Sequence, residues 1–528
     1  MKKPLLKGSY LGATLCSLAA LTSVNFLTAN LAVAANDSST KILRIGYPFG
    51  PTSSMPDPRA RQNGWLSNRA GVSETLIGLS YEMQQFPRLA VSYRNLSKTG
   101  WEIVIRPDVK FHDGSTMTAQ DVKASFDKLD VKGHSAHNPR LWKLLGLKEI
   151  KVIDDQTLHF ITQAPNSAFL WALTEPSAAV LKEGTKALPI IGTGPFIFES
   201  AEANKQYKTR AFADYWNGKP KLDGIVLDKI SDPAVAALAL KAGDVDLVTN
   251  YSEPAFAHLQ KNSKGQRFSA ETLRLFFFMP RVSDGVLANK ALRQALSLGL
   301  NRELISEVAL AGVGGSAAHS IFPRNMKAWV NRDVSLPYDL KKAHKLLDDA
   351  GIKDTDGNGI RELNGKDITL KLRSYEGRAA LKPTLEVSQQ MLSQLGLKVE
   401  IAMGEFGANN NALKAGEIQM NLQAWGTAPQ GHPDYFPSTV VASNAGYNFS
   451  GYSNPELDEL LAKGRAEFDP SKAKPFYDKV QSIINQDLPI IPLFHKTQVS
   501  VGNGKVKGYR IHPAETYLAT PELDLEQN

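Results

Sequence analysis

Cysteine is almost absent from this chain. The only one among 528 residues is Cys16, which lies inside an amino-terminal segment that we expect to be removed. The rest of the chain must then fold by packing alone, since a disulfide needs two thiols. This suits a large protein with a sizeable core rather than a small disulfide-stapled domain. It also excludes a thiol nucleophile.

Several catalytic and polyanion-binding signatures are missing too. The sequence has no Gly-x-Ser-x-Gly elbow and no His-Glu-x-x-His motif. Its formal net charge of +8 is diffuse, with no Lys/Arg run that would follow a nucleic-acid backbone, so we expect no nucleic-acid partner. Beyond the amino terminus, no apolar stretch reaches the roughly 20 residues of a membrane span. A secreted hydrolase therefore remains an alternative without a visible nucleophile or metal triad.

The amino terminus carries the pattern of a secretory signal. Lys2, Lys3 and Lys7 precede a short apolar run at residues 11–21, and Ala-Val-Ala at residues 32–34 has the small side chains that signal peptidase requires. We expect cleavage after this site. The cysteine has no convincing lipoprotein box, so no lipid anchor is predicted. The mature protein is expected to be periplasmic.

A Gly-x-Gly at Gly192 and Gly194 marks a conspicuous stretch within residues 187–218. A phosphate loop would need a third glycine, a following helix and a Lys-Ser/Thr pair, and these are absent. Alternating apolar residues follow at 196–199. We interpret the stretch as a turn that returns the chain into a sheet.

Helices alternate with short strands along the chain, without an internal repeat. A capping box at Thr118 and Asp121 and an Asp-Pro pair at Asp232 indicate helix starts. Periodicity predicts further helices at residues 65–76 and 289–310, and strands at residues 41–47, 101–106 and 490–494. This alternation predicts an α/β protein with more than one lobe, with a small α+β insertion at about residues 81–184.

Residues 354–359 (DTDGNG) match the first half of a calcium-binding EF-hand loop. The twelfth position, which must supply a bidentate carboxylate, is Gly365. The flanking segments do not form the expected helix pair. An Asx-rich turn is therefore the preferred interpretation.

Motifs spread over the mature chain resemble the extracytoplasmic solute-binding proteins of ABC importers, in the family that binds oligopeptides, dipeptides and nickel. Their order and spacing carry the resemblance more than any single piece. The motifs are RPDVKFHDG at 106–114, IGTGPF at 191–196 with Tyr215-Trp216, LRQAL at 292–296, Trp425-Gly426 and LPIIPL at 488–493.

The resemblance implies a two-lobed periplasmic-binding-protein fold of type II, with the extra insertion in the amino-terminal lobe. It places the signal peptide at 1–34, lobe I at 35–80 and 185–275 with the insertion at 81–184, lobe II at 276–489, and a return to lobe I at 490–528. It implies a monomer that encloses a small ligand between its lobes and docks on an ABC permease in the inner membrane. No tightly bound cofactor and no enzymatic activity are expected. A periplasmic chaperone, with a broad exposed apolar surface, is a further alternative.

The resemblance leaves the ligand open. Peptide-binding members anchor the peptide ammonium on an aspartate shortly after the Trp-Gly pair, but here His432 takes that place and no carboxylate occurs before Asp434. Nickel-type members also lack the anchor and carry a loop arginine placed like Arg140, which suits a carboxylate-bearing chelator. We therefore expect a nickel or other transition-metal chelate, with a short peptide as the alternative. Arg140→Ala should then weaken binding of an anionic ligand with the fold intact.

Two histidines are candidate metal ligands, although local packing explains each equally well. They are His495, which follows the LPIIPL strand at the returning hinge, and His432. Aromatic residues are candidate cleft walls or core residues. The predicted ligand-binding residues are Tyr47, Trp65, Arg69, Arg140, Trp425, Asp434 and Tyr435.

Overall fold

The chain folds around one large mixed sheet of eleven strands. The computed structural model describes residues 40–60, 62–184, 189–259 and 265–526. The predicted signal peptide, residues 1–34, lies outside the described residues. The strands and helices belong to one compact unit, Lys41–Asn528.

The strands, in chain order, are β1 Ile42–Tyr47, β2 Glu74–Thr75, β3 Ile77–Leu79, β4 Gln85–Pro87, β5 Ala90–Ser97, β6 Gly100–Ile105, β7 Leu147–Val152, β8 Thr157–Thr162, β9 Ala179–Val180, β10 Phe196–Glu202, β11 Gln206–Ala211, β12 Gly224–Lys229, β13 Leu247–Val248, β14 Gln266–Pro280, β15 Gly315–Ala317, β16 Glu362–Leu363, β17 Lys366–Asp367, β18 Thr369–Tyr375, β19 Lys398–Gly404, β20 Met420–Gly426, β21 Ile491–Gly502, β22 Val506–Lys507 and β23 Asp524–Leu525.

The α-helices are α1 Gln62–Arg69, α2 Ala119–Asp127, α3 Pro139–Leu145, α4 Phe169–Ala172, α5 Pro233–Ala242, α6 Glu253–His258, α7 Lys290–Gly299, α8 Arg302–Ala309, α9 Leu340–Asp349, α10 Leu381–Ser393, α11 Phe406–Ala415, α12 Pro455–Ala466 and α13 Pro470–Asp487. Short 3-10 helices occur at Lys128–Asp130 and Val286–Ala288, and a π-helical turn at Pro437–Val441. Among the described residues, no helix has both the length and the apolar character that crossing a bilayer requires.

Two long strands, β14 and β21, run through the middle of the large sheet, which has the order β10-β11-β12-β1-β13-β21-β14-β20-β18-β19. β21 pairs with β13, where Leu247 lies opposite Gly502. β14 pairs with β20, where Arg274 lies opposite Gly426. Because β14 and β21 also pair with each other, backbone hydrogen bonds join the two halves of the sheet. The strand predicted at 490–494 thus extends much further, to Gly502.

A separate antiparallel sheet of four strands, in the order β5-β6-β8-β7, lies inside the predicted insertion. Its inner face and helix α2 share an apolar core, in which Ile103, Phe126 and Phe160 are fully buried. The rings of Phe126 and Phe160 meet edge to face at 5.6 Å. The insertion therefore has a core of its own, whereas the exact segment boundaries remain predictions.

Two predicted helix starts are confirmed by side-chain caps. The Thr118 hydroxyl accepts a hydrogen bond from the backbone N–H of Asp121, and the Asp121 carboxylate accepts one from the Thr118 N–H. Asp232 caps α5 in the same way, and Gly243 ends that helix with a φ of +84°. Such caps satisfy N–H groups that have no partner within the helix.

Two other helix predictions were wrong in extent. The helix predicted at 65–76 ends at Arg69, because Gly71 adopts a φ of +72° and the chain then enters β2, which pairs with β9. The helix predicted at 289–310 is divided into α7 and α8. Asn301 leaves the helical conformation and caps α8 by accepting from the Leu304 N–H. The apolar periodicity continues across residue 301, but the side-chain cap of Asn301 ends one helix and starts another there.

Gly192 and Gly194 lie where two backbone segments touch. A Cβ on Gly192 would lie 2.1 Å from the carbonyl oxygen of Val72, and one on Gly194 would lie 2.2 Å from that of Gly71. His112 bridges the same turn, since its Nε2 lies 3.0 Å from the Gly194 oxygen and its Nδ1 accepts from the Gly192 N–H. Burial lowers the pKa of His112 to about 4, so the ring is neutral. Both positions therefore require glycine, because the two backbone segments lie too close together to admit a Cβ.

A buried carboxylate connects further pieces of the motif pattern. Glu74 is fully buried and accepts hydrogen bonds from the Thr193 hydroxyl at 2.9 Å, the Tyr215 hydroxyl at 2.8 Å and the Trp216 indole at 3.0 Å. Arg88 completes the set with an ion pair at 3.0 Å. A buried charge is tolerated when its lone pairs are satisfied in this way. The residues around 193 and 215 are thus parts of one structural cluster.

Candidate solute-binding site

A cavity of about 400 Å³, which we call the central cavity, lies beside the segment of β14 that pairs with β20. Its walls come from the end of β1, from α1, α3, β14, β18 and β20, and from the carboxyl-terminal tail around residue 515. Its volume falls within the roughly 300–1,000 Å³ typical of small-molecule sites.

Four arginines and one acidic residue line the central cavity. The arginines are Arg69, Arg140, Arg274 and Arg378, and the acid is Glu515. No histidine or cysteine is among the described residues that line it. The cavity therefore has an excess of positive charge and lacks the side chains that bind transition metals most readily.

Arg69 is fixed by three contacts. Its Nε donates to the backbone oxygen of Glu515 at 2.7 Å, and its Nη1 donates to the Tyr47 hydroxyl. Its guanidinium carbon lies 5.0 Å from the centre of the Trp65 ring, a cation–π distance. Tyr47, Trp65 and Arg69 thus position one another.

Arg274 and Glu515 form the charge pair of the central cavity. Nε of Arg274 donates to the Glu515 carboxylate at 2.6 Å, and its Nη1 donates to the Ala424 oxygen at 3.1 Å. Burial alone would raise the pKa of Glu515, but the positive charges of Arg274 and Arg378 outweigh it and lower that pKa to about 2. Glu515 is therefore ionised at neutral pH.

Arg378 is the arginine without a protein partner. The residue is half-buried, and its guanidinium carbon lies 5.5 Å from the centre of the Phe49 ring. Among the described residues, its side chain makes no hydrogen bond and no ion pair. Burial and the charge of Arg274 lower its pKa. A half-buried cation of this kind is energetically unfavourable unless an anion joins it.

Arg140 reaches the central cavity from α3, and a buried carboxylate holds its guanidinium in place. It forms a bidentate ion pair with Glu175, whose side chain is only 1% exposed. Glu175 also accepts a hydrogen bond from the Gln430 side chain at 2.7 Å. The insertion, which carries Arg140, is thereby tied to the loop after β20.

Aromatic rings form the remaining walls. Tyr47, Trp65, Trp425 and Tyr435 all line the central cavity, and Trp425 meets Tyr447 edge to face at 4.8 Å. Rings of this type can stack on the flat parts of a ligand and on cationic groups. The structure thus brings six of the predicted residues together, and their part in binding remains a prediction.

Asp434 does not line the central cavity. Its carboxylate is buried in an ion pair with Arg465 at 3.1 Å and accepts from the Tyr477 hydroxyl at 3.4 Å. Asp434 instead neutralises Arg465 and lines a neighbouring cavity, so its part in binding remains a prediction. Glu515 is the carboxylate that the cavity offers in its place.

His432 and His495 do not reach the central cavity either. His432 packs among the rings of Trp171, Trp329 and Tyr477, and its Nδ1 accepts from the Asp434 N–H. His495 is held by the Ser320 oxygen, 3.2 Å from its Nε2. Burial lowers the pKa of both rings to about 4. Coordination of a metal in this cavity by either histidine is therefore not supported.

Among the cavity residues that were not predicted from the sequence, the three charged ones and Phe49 are the most informative. Arg274 is an isolated cation within the apolar run of β14, which was a usable signal. Glu515 lies in an irregular tail, and Phe49 and Arg378 lie in loops. In such segments, the spacing of apolar residues does not predict which side chains face a cavity. Only the folded chain brings these distant segments together.

The calcium-like loop is an exposed turn. The backbone N–H groups of Gly357 and Gly359 donate to the Asp354 carboxylate at 2.8 and 2.9 Å. Oxygens of Asp354, Asp356 and Glu362 lie within 4.8 Å of one another. Strand β16 follows the loop where an EF-hand would have a helix. These contacts are those of the predicted Asx-rich turn.

Comparison with known proteins identifies the family. The family model described as bacterial extracellular solute-binding proteins, family 5, middle region, matches residues 84–448. The chain belongs to this family. The glutathione-binding protein GsiB of Shigella dysenteriae serotype 1 is 28% identical over 535 residues, which cover 96% of this chain and 98% of GsiB.

Two solved structures show the same fold. NikA from Staphylococcus aureus in complex with Ni(L-His)2 has a TM-score of 0.80 and 21% identity, over 92% of this chain and 100% of NikA. The oligopeptide-binding protein AppA from Bacillus subtilis, in complex with a nonapeptide, has a TM-score of 0.79 and 23% identity, over 92% of this chain and 99% of AppA. The predicted two-lobed α/β fold is confirmed.

As a family 5 protein, the chain is the solute-binding component of an ABC importer. Members of the family are periplasmic binding proteins rather than enzymes, and they deliver ligands to ABC permeases. The solutes of the three relatives differ widely, so family membership leaves the solute open.

Proposed function

We propose that the central cavity binds a compact anionic peptide with at least two carboxylates, of the size and charge of glutathione, for delivery to a permease of the inner membrane. The observation that carries this proposal is the charge of the lining: Arg69, Arg140, Arg274 and Arg378 surround the single acid Glu515. Guanidinium groups bind carboxylates by paired, charge-assisted hydrogen bonds.

Glu515 supports a peptide in particular. A peptide ammonium enters a cavity at lower energetic cost when a carboxylate lies beside it. Glu515 is ionised, and its pairing with Arg274 uses Oε1, which leaves Oε2 for a ligand donor. Similarity to GsiB over nearly the whole of both chains also supports this class of solute.

A metal chelate is the second candidate. The same arginines would bind the outward carboxylates of a chelator around nickel or a related transition metal, with no protein atom on the metal. The likeness to NikA favours this candidate only through the fold. Because the lining contains no histidine, the chelator would have to supply the metal ligands itself.

Native mass spectrometry with metal analysis, followed by calorimetry, tests the proposal. Protein stripped of solute is titrated with glutathione, with the uncharged-side-chain dipeptide Met-Leu and with nickel plus histidine. We expect glutathione to bind at least 10-fold more tightly than Met-Leu. Equal affinity for the two peptides would contradict the anionic class, and binding of nickel-histidine alone would favour the second candidate.

A separate proposal concerns where the protein is located. We propose that residues 1–34 direct export and are removed, so that the mature protein is free in the periplasm. The pattern of Lys2, Lys3 and Lys7 followed by residues 11–34 supports this.

A further inference from the structure

A second cavity, of about 910 Å³, adjoins the central cavity; we call it the side chamber. Arg140 and Tyr447 line both spaces and form the partition between them. One wall of the side chamber belongs to the insertion, at α3 and residues 163–166. The other belongs to residues 438–449 and α12. A solute in the central cavity would therefore have room to extend past the partition.

The charged groups of the side chamber are already engaged by the protein. Arg140 pairs with Glu175, and Arg465 pairs with Asp434. Two further groups make backbone contacts: the ammonium of Lys143 donates to the Asn444 oxygen at 3.3 Å, and the Asp458 carboxylate accepts from the Ser443 N–H at 3.0 Å. A second charged group on a solute would compete with these contacts.

Most of the remaining surface of the side chamber is apolar, beside a few neutral polar side chains such as Gln163 and Thr439. Leu144 on one wall and Leu461, Ala462 and Phe449 on the other contribute side chains without polar atoms. Below them the two walls are joined, because the Ser167 N–H donates to the Arg465 oxygen at 2.8 Å. An apolar group between the walls would gain contacts on both sides.

We propose that the side chamber receives a bulky apolar side group of the anionic peptide whose charged part occupies the central cavity. This inference rests on the proposed function and deepens it: the solute class becomes short anionic peptides that carry one large apolar side chain or thioether substituent. The partition residues Arg140 and Tyr447 contact both parts of such a solute.

Calorimetry with two matched ligands tests the inference. Glutathione supplies the charged part alone, and S-hexylglutathione adds an apolar chain to the same sulfur. We expect S-hexylglutathione to bind about 10- to 100-fold more tightly, because burial of the hexyl chain is favourable and exceeds the entropic cost of ordering it. Equal affinities would overturn the inference and leave the proposed function intact.

Two variants locate the apolar chain. Ala462→Trp and Ala164→Trp fill the side chamber from opposite walls at exposed positions, so the fold should tolerate both. Each should abolish the advantage of S-hexylglutathione and leave glutathione affinity unchanged. Lys463→Trp is the matched control, since residue 463 is exposed and lines neither cavity. An undiminished advantage in both chamber variants would place the chain elsewhere and overturn the inference.

An uncharged fluorophore separates the two proposals if neither peptide binds. Failure of both peptides counts against the proposed function. N-phenyl-1-naphthylamine then probes the side chamber without any carboxylate. We expect its fluorescence to rise with the wild-type protein and with Lys463→Trp, and to rise much less with Ala462→Trp. No rise, or an equal rise in all three proteins, would overturn the inference.

Discussion

Nε of Arg274 lies 2.6 Å from the carboxylate of Glu515, although 241 positions separate the two residues along the chain. The arginine belongs to β14, which joins the two halves of the large sheet, and the glutamate belongs to the carboxyl-terminal tail. Their pairing neutralises one of four arginines in the central cavity. Glu175 likewise neutralises Arg140, so the positive charge that remains, on Arg69 and Arg378, underlies the predicted affinity for anions.

Acid should destabilise the fold through Glu515. Its pKa of about 2 in the folded protein lies below the ordinary value of about 4.3, so the ionised form stabilises the fold above pH 4.3 and this contribution is lost as the pH falls towards 2. We expect Glu515→Gln to lower the free energy of unfolding at pH 7 by roughly 2–4 kcal/mol. Its denaturant midpoint should also vary less than that of the wild type between pH 5 and pH 2.

Glu386→Gln is the control for this experiment, because residue 386 is exposed on α10. Its stability should follow the wild type at every pH. An acid-induced loss in Glu515→Gln as steep as that of the wild type would show that another group is responsible.

Arg378→Ala should weaken solute binding without weakening the fold. A charge-assisted hydrogen bond contributes about 1.5–3 kcal/mol, so we expect affinity for glutathione to fall by about 10- to 150-fold. The Arg378 side chain makes no hydrogen bond among the described residues, and its repulsion by Arg274 opposes its attraction to Glu515, so its removal should change the melting temperature little. Calorimetry and thermal denaturation measure the two effects. Arg373→Ala, on β18 outside the central cavity, should change neither affinity nor melting temperature.

Arg140→Ala should affect both binding and stability, contrary to the expectation of an intact fold. The substitution leaves the buried Glu175 carboxylate with only the Gln430 side chain, which should cost roughly 3 kcal/mol. In the double variant Arg140→Ala/Glu175→Gln the stability should largely return while affinity for glutathione stays low. If the double variant regained full affinity, Arg140 would act only by holding Glu175.

Gly192→Ala should be severely destabilising. Its Cβ would lie 2.1 Å from the Val72 carbonyl oxygen, a clash with backbone that only a shift of the whole turn relieves. We expect a loss of more than roughly 3 kcal/mol in chemical denaturation. Gly218→Ala is the matched control: its φ is +92° but no atom lies within 4 Å, so the loss should stay near 1 kcal/mol. Equal losses would mean that backbone conformation, rather than contact, limits both sites.

Removal of the predicted signal peptide can be measured directly. Edman sequencing or intact mass of protein recovered from a periplasmic extract should give an amino terminus at Ala35. A mature form retaining residues 1–34, or one carrying a lipid on Cys16, would contradict the predicted signal.

The sequence indicated the fold well where local rules apply. Thr118 and Asp232 cap helices as predicted, because a cap depends on neighbours within three residues. The aromatic wall and Arg69 were predicted, whereas Glu515 and Arg378 were not. Their place in the site depends on tertiary contacts between tail, loop and β14, which no periodicity reports.

The two candidate metal-ligand histidines show what residue type alone leaves open. His432 and His495 are residue types that bind metals, and sequence gives no direct measure of burial. The structure surrounds His432 with aromatic rings and holds His495 on a backbone oxygen, so both have ordinary packing roles. These contacts agree with the local packing that the sequence left open beside metal ligation, and metal binding by either histidine remains a prediction.

The tail that carries Glu515 also bears on how the protein is made. Synthesis proceeds from the amino end, so this segment joins the fold after β14 has been made. Until it docks, Arg274 and Arg378 have no acidic neighbour, and Arg69 lacks the backbone oxygen that it contacts in the finished protein. The central cavity is therefore complete only after the carboxyl-terminal tail has docked, since that tail supplies its one acid.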